Sequence, residues 1–118
     1  MDKDRKKELN EQFAQTKKFM GVFKITNLAN GKIFIDGSLN LKNQWDRVKM
    51  ALNSNMHVNA ALQRDWNESG EKDFAFEALE ETEVKDEIID KKFELSKMEQ
   101  SWLEKLQPYG DAGYNKPK

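Results

Sequence analysis

The chain has 118 residues and a net charge of −1, which suits one domain with a modest core. Apolar residues make up only 37% of it, but seven Phe and three Trp supply large surfaces for burial, so a folded domain is favoured over disorder. The chain has no cysteine, which excludes disulfides and thiolate metal sites. It has no apolar leader and no apolar run of membrane-spanning length, so neither a signal peptide nor a membrane span is expected. We therefore expect a cytoplasmic location.

Charge is unevenly distributed along the chain. Residues 1–20 carry six basic and four acidic side chains, and residues 21–70 carry the same numbers. Residues 71–106 carry six basic and twelve acidic side chains. A dedicated nucleic-acid binder usually has a stronger basic excess, so this composition, a weakly basic half and an acidic one, allows at most weak binding of nucleic acid.

Residues 1–19 are predicted to form an N-terminal helical extension, because Leu9 and Phe13 are one turn apart in a polar segment. Two β-branched runs follow, at residues 22–26 and 32–36, joined by a loop with Asn30-Gly31, which favours the positive φ angles of a hairpin turn. Alternation places Phe34 and Asp36 on one face of the second run.

The next segments predict two helices and a third strand. The first helix begins after an N-cap at Asn40 and ends near residue 53, and the second spans about 58–69 with Gly70 as its C-terminal cap. Residues 73–79 alternate in strand fashion. The apolar stripe of the first helix is Leu41, Trp45, Val48 and Leu52, and that of the second is Val58, Leu62 and Trp66.

The last predicted helix, roughly 86–106, contains the most informative single residue. Its narrow apolar stripe is Leu95, Met98, Trp102 and Leu106. Glu99 falls within that arc, where a carboxylate is costly unless it is paired, hydrogen-bonded or metal-bound. It either reaches solvent from the edge of the stripe or lines a cleft over the sheet. Residues 108–115 are predicted to form an ordered loop.

Taken in order, these segments resemble the GIY-YIG nuclease domain over residues 20–115, with residues 116–118 as a tail. Gly21-Val22-Phe23 stands where the family reads Gly-Ile-Tyr, and Phe34-Ile35-Asp36 stands where it reads Tyr-Ile-Gly. The remaining matches are Asn40-Leu41-Lys42, Gln44-Trp45, His57, Leu62-Gln63, Trp66-Asn67, Glu99 with Trp102, and Gly113-Tyr114-Asn115. The resemblance implies an α+β fold, a small three-stranded antiparallel sheet flanked by helices.

The resemblance also implies a site for metal-dependent cleavage of DNA. Its metal ligand would be Glu99, holding Mg²⁺ or Mn²⁺ that keep most of their water. The implied catalytic positions are Phe23, Phe34, Gln44, His57, Glu99 and Asn115. The basic residues that would contact DNA are Lys24, Lys32, Lys42, Arg47 and Lys49.

Three of these positions depart from the family at the chemistry itself. Phe23 and Phe34 replace the two Tyr, so neither side chain can accept a proton or orient a water. Gln44 replaces an Arg and carries no charge to stabilise a phosphate. Asp36 adds a negative side chain where the family keeps Gly.

Three hypotheses follow from these departures. The first is a catalytically silent domain that binds nucleic acid or protein. The second is a divergent Mg²⁺-dependent endonuclease, in which the metal or His57 activates water. The third is an adaptor domain with no nucleic-acid role, which the acidic stretch after residue 77 favours.

Overall fold

A computed structural model describes residues 18–85 and 90–116. They form a three-stranded antiparallel sheet with three α-helices, as the sequence predicts. The elements are β1 (Phe19–Asn27), β2 (Ile33–Ser38), α1 (Gln44–Asn53), α2 (Ala60–Ser69), β3 (Phe74–Glu83) and α3 (Lys91–Leu106), with short 3₁₀ turns at Glu71–Asp73 and Gly110–Ala112. Most of the predicted extension over residues 1–19 lies outside the described residues, and so does most of the tail.

Strand β1 is the centre of the sheet, in the order β2-β1-β3. The predicted hairpin of β1 and β2 is confirmed, with Gly31 at φ +79° in its turn. The pairing of β1 with β3 contains a bulge at Val22/Phe23, where β3 has one extra residue. Both flanking strands run antiparallel to β1, so every hydrogen-bonded pairing within the sheet is antiparallel.

Alternation along the strands gives the sheet an apolar surface on each face. One face packs on α1 and α2, and its buried residues are Phe23, Ile25, Phe34, Val48, Leu52, Leu62, Trp66, Phe74 and Tyr114. The other face packs on α3, and it joins Val22, Ile35 and Leu103 to partly buried Met98, Trp102 and Leu106. The predicted stripe of the last helix therefore covers this second face.

The first helix begins later than the sequence indicates. The side chain of Asn40 accepts a hydrogen bond from the backbone N–H of Lys42 (3.2 Å), so it closes a turn and does not cap the helix. The N-cap is Asn43, at φ 59°, a left-handed conformation that Asn tolerates. The helix that follows still buries Val48 and Leu52.

The other two helices also begin after their predicted starts. Asn59 caps α2 by accepting from the N–H of Leu62 (3.0 Å), so Val58 precedes the helix and is 93% exposed, which contradicts its place in the predicted stripe. Asp90 caps α3 by accepting from the N–H of Phe93, so this helix begins at Lys91; residues 86–89 lie outside the described residues.

The C-terminal segment is an ordered loop, as predicted, and it follows the outer edge of β2. The backbone N–H of Tyr114 donates to the carbonyl of Ile33 (2.8 Å). The side chain of Asn115 donates to the carbonyl of Ile35 and accepts from its N–H. Among the described residues, none of the helices is both long enough and apolar enough to cross a bilayer.

Gly21 is the position where the sheet leaves no room for a side chain. A Cβ there would lie 1.9 Å from the carbonyl oxygen of Glu80, on the neighbouring strand. We expect Gly21→Ala to lower the free energy of unfolding by about 3 kcal/mol or more, because the backbones of β1 and β3 must separate. Urea denaturation measures this change.

Gly31→Ala provides the comparison for that substitution. A Cβ at Gly31 meets nothing within 4 Å, but φ is +79°. Its cost is therefore backbone strain alone, about 1–2 kcal/mol. An equal or larger loss in Gly31→Ala would contradict the close packing of β1 on β3.

Candidate functional site

Most of the positions that the resemblance singles out are arranged around strand β2. Phe34 belongs to this strand, and Phe23 is on β1, where it pairs with Asp36 of β2. Of the remaining four positions, three contact β2, and Gln44 lies at the start of α1. His57 lies against Phe34, Asn115 hydrogen-bonds Ile35, and Glu99 lies against Gly37.

The two Phe side chains are inside the protein. Phe23 is 1% exposed, and its ring stacks on Phe76 with the centroids 5.2 Å apart. Phe34 is 6% exposed and meets the His57 ring edge to face at 5.4 Å. Each ring therefore contributes apolar contact where the family has a hydroxyl.

His57 is held in one orientation just before α2. Its Nδ1 accepts a hydrogen bond from the N–H of Asn59 (3.0 Å), so the neutral ring carries its proton on Nε2. Its own backbone N–H donates to the side chain of Gln63. Burial lowers the pKa of His57 from its ordinary 6.5, and the nearby carboxylate of Asp36 opposes that shift.

Glu99 reaches β2 from the opposite side of the sheet. A Cβ at Gly37 would lie 2.4 Å from the Oε1 of Glu99, so the carboxylate fills the space that this glycine leaves. Gly37 points to the face covered by α3, whereas Phe34 and Asp36 point to the other face. The carboxylate and the His57 ring thus lie on either side of one strand end.

Gln44 occupies the first position of α1. Its Oε1 accepts a hydrogen bond from the guanidinium of Arg47 at 2.7 Å. Arg47 also donates to the backbone carbonyls of Asn40 and Lys42. A positive charge does lie one turn beyond Gln44, but its donors are engaged in holding the loop before the helix.

Most of the other predicted DNA-contacting residues lie in local interactions. Lys24 pairs with Glu77 (3.5 Å), and Lys49 lies between Asp46 (3.7 Å) and Glu71 (3.8 Å). Surface pairs such as these are weak and would not prevent a phosphate from competing. Lys42 is exposed, and the Nζ of Lys32 lies 5.8 Å from the centre of the Tyr114 ring.

A cleft of about 730 Å³ opens beside Phe34 and Asn115. Its basic side chains are Arg64 and Lys116, neither of which the sequence analysis assigned to the site. Their closeness in sequence to predicted site residues could have indicated them, because Lys116 directly follows Asn115 and Arg64 comes seven residues after His57. The rest of the lining is Val58, Asn59, Ala60, Ala61 and Tyr114.

Below the cleft, a hydrogen-bonded chain runs through Tyr114. Its hydroxyl donates to Asp65 (2.6 Å) and accepts from the side chain of Asn27 (2.9 Å). Burial, reinforced by the bond to Asp65, raises the pKa of Tyr114 to about 12. Tyr114 is therefore a neutral donor at physiological pH, and it ties the C-terminal segment to β1 and α2.

The metal that the resemblance implies would have few protein ligands. Within residues 18–85 and 90–116, no three His, Asp or Glu side chains converge on a point that could hold an ion. Glu99 alone would supply one carboxylate, and that group is packed against Gly37. This donor set does not form a protein-held cage, so no step of the chemistry is assigned to a metal.

Two solved structures have a fold similar to that of this chain. A point mutant of the catalytic domain of intron endonuclease I-TevI matches 82% of this chain and 92% of its own, at 25% identity and a TM-score of 0.67. A second structure, of the catalytic domain of homing endonuclease I-TevI, matches 84% of this chain and 99% of its own, at 24% identity and a TM-score of 0.66. The fold is GIY-YIG-like.

No protein-family model and no curated protein matches the chain. The likeness is therefore one of three-dimensional structure.

Tyr114→Phe tests the buried chain below the cleft. Losing the hydroxyl removes one hydrogen bond from Asp65 and one from Asn27, so we expect the free energy of unfolding to fall by about 1–3 kcal/mol. Tyr109→Phe is the matched control, since the Tyr109 hydroxyl makes no hydrogen bond with any other described residue. Equal effects in the two variants would contradict a specific role for this network.

The lowered pKa of His57 predicts a pH dependence of stability. The unfolded chain takes up a proton at His57 more readily than the folded one, so the free energy of unfolding should decrease as the pH falls below about 6.5. It should be at its full value above that pH. Urea titrations compare the chain with His57→Asn, which keeps an acceptor for Asn59 but has no titrating group. Parallel pH profiles for the two proteins would contradict the prediction.

Proposed function

We propose that this GIY-YIG-like domain binds DNA and does not hydrolyse it. The proposal combines the nuclease-like fold with side chains that lack the chemistry of cleavage. The observation that carries it is the environment of Phe23, which is buried and stacked on Phe76. Water that attacks a phosphodiester needs a basic or orienting group beside it, and this position offers a closed aromatic contact.

The other family positions support the same conclusion. Gln44 can donate a hydrogen bond but provides no charge, and removing one preorganised donor from a transition state costs on the order of 10²–10³ in rate. Asp36 shares a face with Phe34 and lies near His57. Its negative carboxylate repels a phosphate that approaches this face. Each of these changes disfavours cleavage, and independent losses of rate multiply.

DNA binding is supported by the cleft beside β2. Arg64 and Lys116 line it, and Lys32 lies over the Tyr114 ring. The side chain of Arg64 is 68% exposed, and its contact with Asp65 is long, at 3.8 Å, so it can reorient toward a phosphate. Two or three cations of this kind give affinity that depends on salt and little on sequence.

A plasmid-nicking assay with Mg²⁺ or Mn²⁺ tests the absence of cleavage. We expect supercoiled DNA to stay intact with the wild-type chain and with Glu99→Ala. Nicking that requires the metal and disappears in Glu99→Ala would overturn the silent assignment and support the alternative of a divergent endonuclease. Nicking that is equal in both proteins would indicate a contaminating nuclease, which repeated purification removes.

Salt-dependent binding tests the DNA contact. In fluorescence titrations with a short duplex, we expect the double substitution Arg64→Gln and Lys116→Gln to weaken binding and to reduce the slope of log K against log salt by about 2. The control changes the same net charge on α3, with Lys97→Gln and Lys105→Gln, and should leave the slope nearly unchanged. Equal losses of DNA affinity in the two double variants would contradict a DNA contact in the cleft.

If no binding is detected at low salt, the DNA proposal is wrong. The adaptor hypothesis would then account for the retained fold. That result would leave the cleavage assay unaffected, so the two parts of the proposal fail separately.

A further inference from the structure

The two edges of the sheet are completed differently. The outer edge of β2 is covered by the C-terminal segment, through the hydrogen bonds of Tyr114 to Ile33 and of Asn115 to Ile35. Strand β3 forms the other edge, and it pairs only with β1 within the described part of the chain. Half of the backbone N–H and C=O groups of such an edge strand point away from the sheet and are available to another chain.

Strand β3 is also the longest strand of the sheet and has one sign of charge. Its ten residues include four Glu and no basic residue. Among residues 18–85 and 90–116, Glu77 alone of these four has an ion pair, with Lys24, and Glu80 accepts a hydrogen bond from the indole of Trp102. Glu81 and Glu83 make neither kind of contact with any described residue.

The side chains next to this edge leave room for a neighbour. Ala75 and Ala78 are exposed and small. Phe76 is half-buried, and its ring stacks on Trp45 with centroids 5.4 Å apart, so part of the aromatic surface borders the open edge. The first half of β3, residues 74–78, precedes the bulge and presents an unbroken stretch for pairing.

A second copy of this chain does not suit the edge. Pairing two β3 strands antiparallel would bring the Glu residues of one copy close to those of the other, and like charges across a ladder are unfavourable. The acidic side chains of β3 thus disfavour pairing with a second copy and would attract a strand of opposite charge.

We propose that the outer edge of β3 binds an extended basic peptide segment of a partner protein, which adds a fourth strand to the sheet. Backbone hydrogen bonds to residues 74–78 provide the pairing. Lys or Arg side chains of the segment lie near Glu77 on the face of α3, and basic side chains beyond the bulge lie near Glu81 and Glu83 on the opposite face, which also carries Phe76. This surface is separate from the basic cleft, so the proposal does not depend on DNA binding.

The probe for this proposal is a dye-labelled peptide of alternating Lys and Val, as long as β3. We expect it to bind the full chain, with a signal in fluorescence polarisation. Backbone amides of β3 should become protected from hydrogen exchange when it binds. The same peptide with alternate backbone nitrogens methylated keeps its charge but cannot complete a ladder, and we expect its affinity to be lower by about tenfold or more.

Charge variants locate the contact. Glu77→Gln with Glu81→Gln should weaken peptide binding by about fivefold or more, whereas Glu68→Gln with Glu104→Gln, which removes the same charge from helices α2 and α3, should not. Circular dichroism checks that each variant is folded, and Glu83→Gln alone provides a milder alternative.

Three outcomes would overturn the proposal. They are absence of binding at millimolar peptide, equal affinity for the methylated peptide, and equal losses in the two double variants. Methylation-insensitive binding would mean simple charge attraction, and absence of binding would mean that the Glu residues only protect an edge. Concentration-dependent dimerisation, seen by sedimentation and strengthened by the Glu77/Glu81 variant, would instead assign the edge to a second copy.

Discussion

The structure depends on β1 having a pairing partner on each side and a helical layer on each face. Its residues alternate between two apolar surfaces, with Phe23 and Ile25 toward α1 and α2 and Val22 toward α3. Removing either layer would expose one surface of a sheet that is too small to be stable alone. Gly21 permits the closest approach within this arrangement, where β3 crosses next to it.

The same alternation decides which side chains can act together. Consecutive residues of β2 project to opposite faces, so Asp36 lies with Phe34 and His57 while Gly37 receives Glu99. Side chains on opposite faces of β2 can approach a common ligand only around the outer edge of this strand, because elsewhere the sheet separates them. Here the edge is occupied by Asn115, whose amide completes the hydrogen bonds of Ile35. The groups around β2 are thus mainly engaged in packing and in hydrogen bonds within the protein.

Much of the fold could be predicted because its signals are local. Asn30-Gly31 between two β-branched runs determines a hairpin whatever lies around it. The stripe of the last helix likewise needs no knowledge of its partner. The start of α1 was wrong because Asn40 and Asn43 are equally good caps in isolation, and contacts of the preceding loop decide between them. Val58 was misplaced for the same reason, since only the capping bond of Asn59 shows where α2 begins.

The candidate site was less predictable, because proximity in space depends on packing between distant segments. Arg64 and Lys116 are far apart in the sequence and meet only after the C-terminal segment has joined β2. The resemblance named positions around β2, but it could not show that Phe23 is closed off or that Glu99 approaches from the other face.

Opposite charges are separated across the sheet, which bears on how the domain could use two partners. The basic groups of the cleft lie beyond β2, whereas the acidic row lies on β3, with β1 between them. If the cleft binds a polyanion, as proposed, the acidic β3 edge repels that ligand and favours its binding on the cleft side of the domain. A basic strand is confined to the other side by the same field. Because the mostly buried strand β1 lies between the two edges, a partner bound at one edge does not need to displace a partner bound at the other.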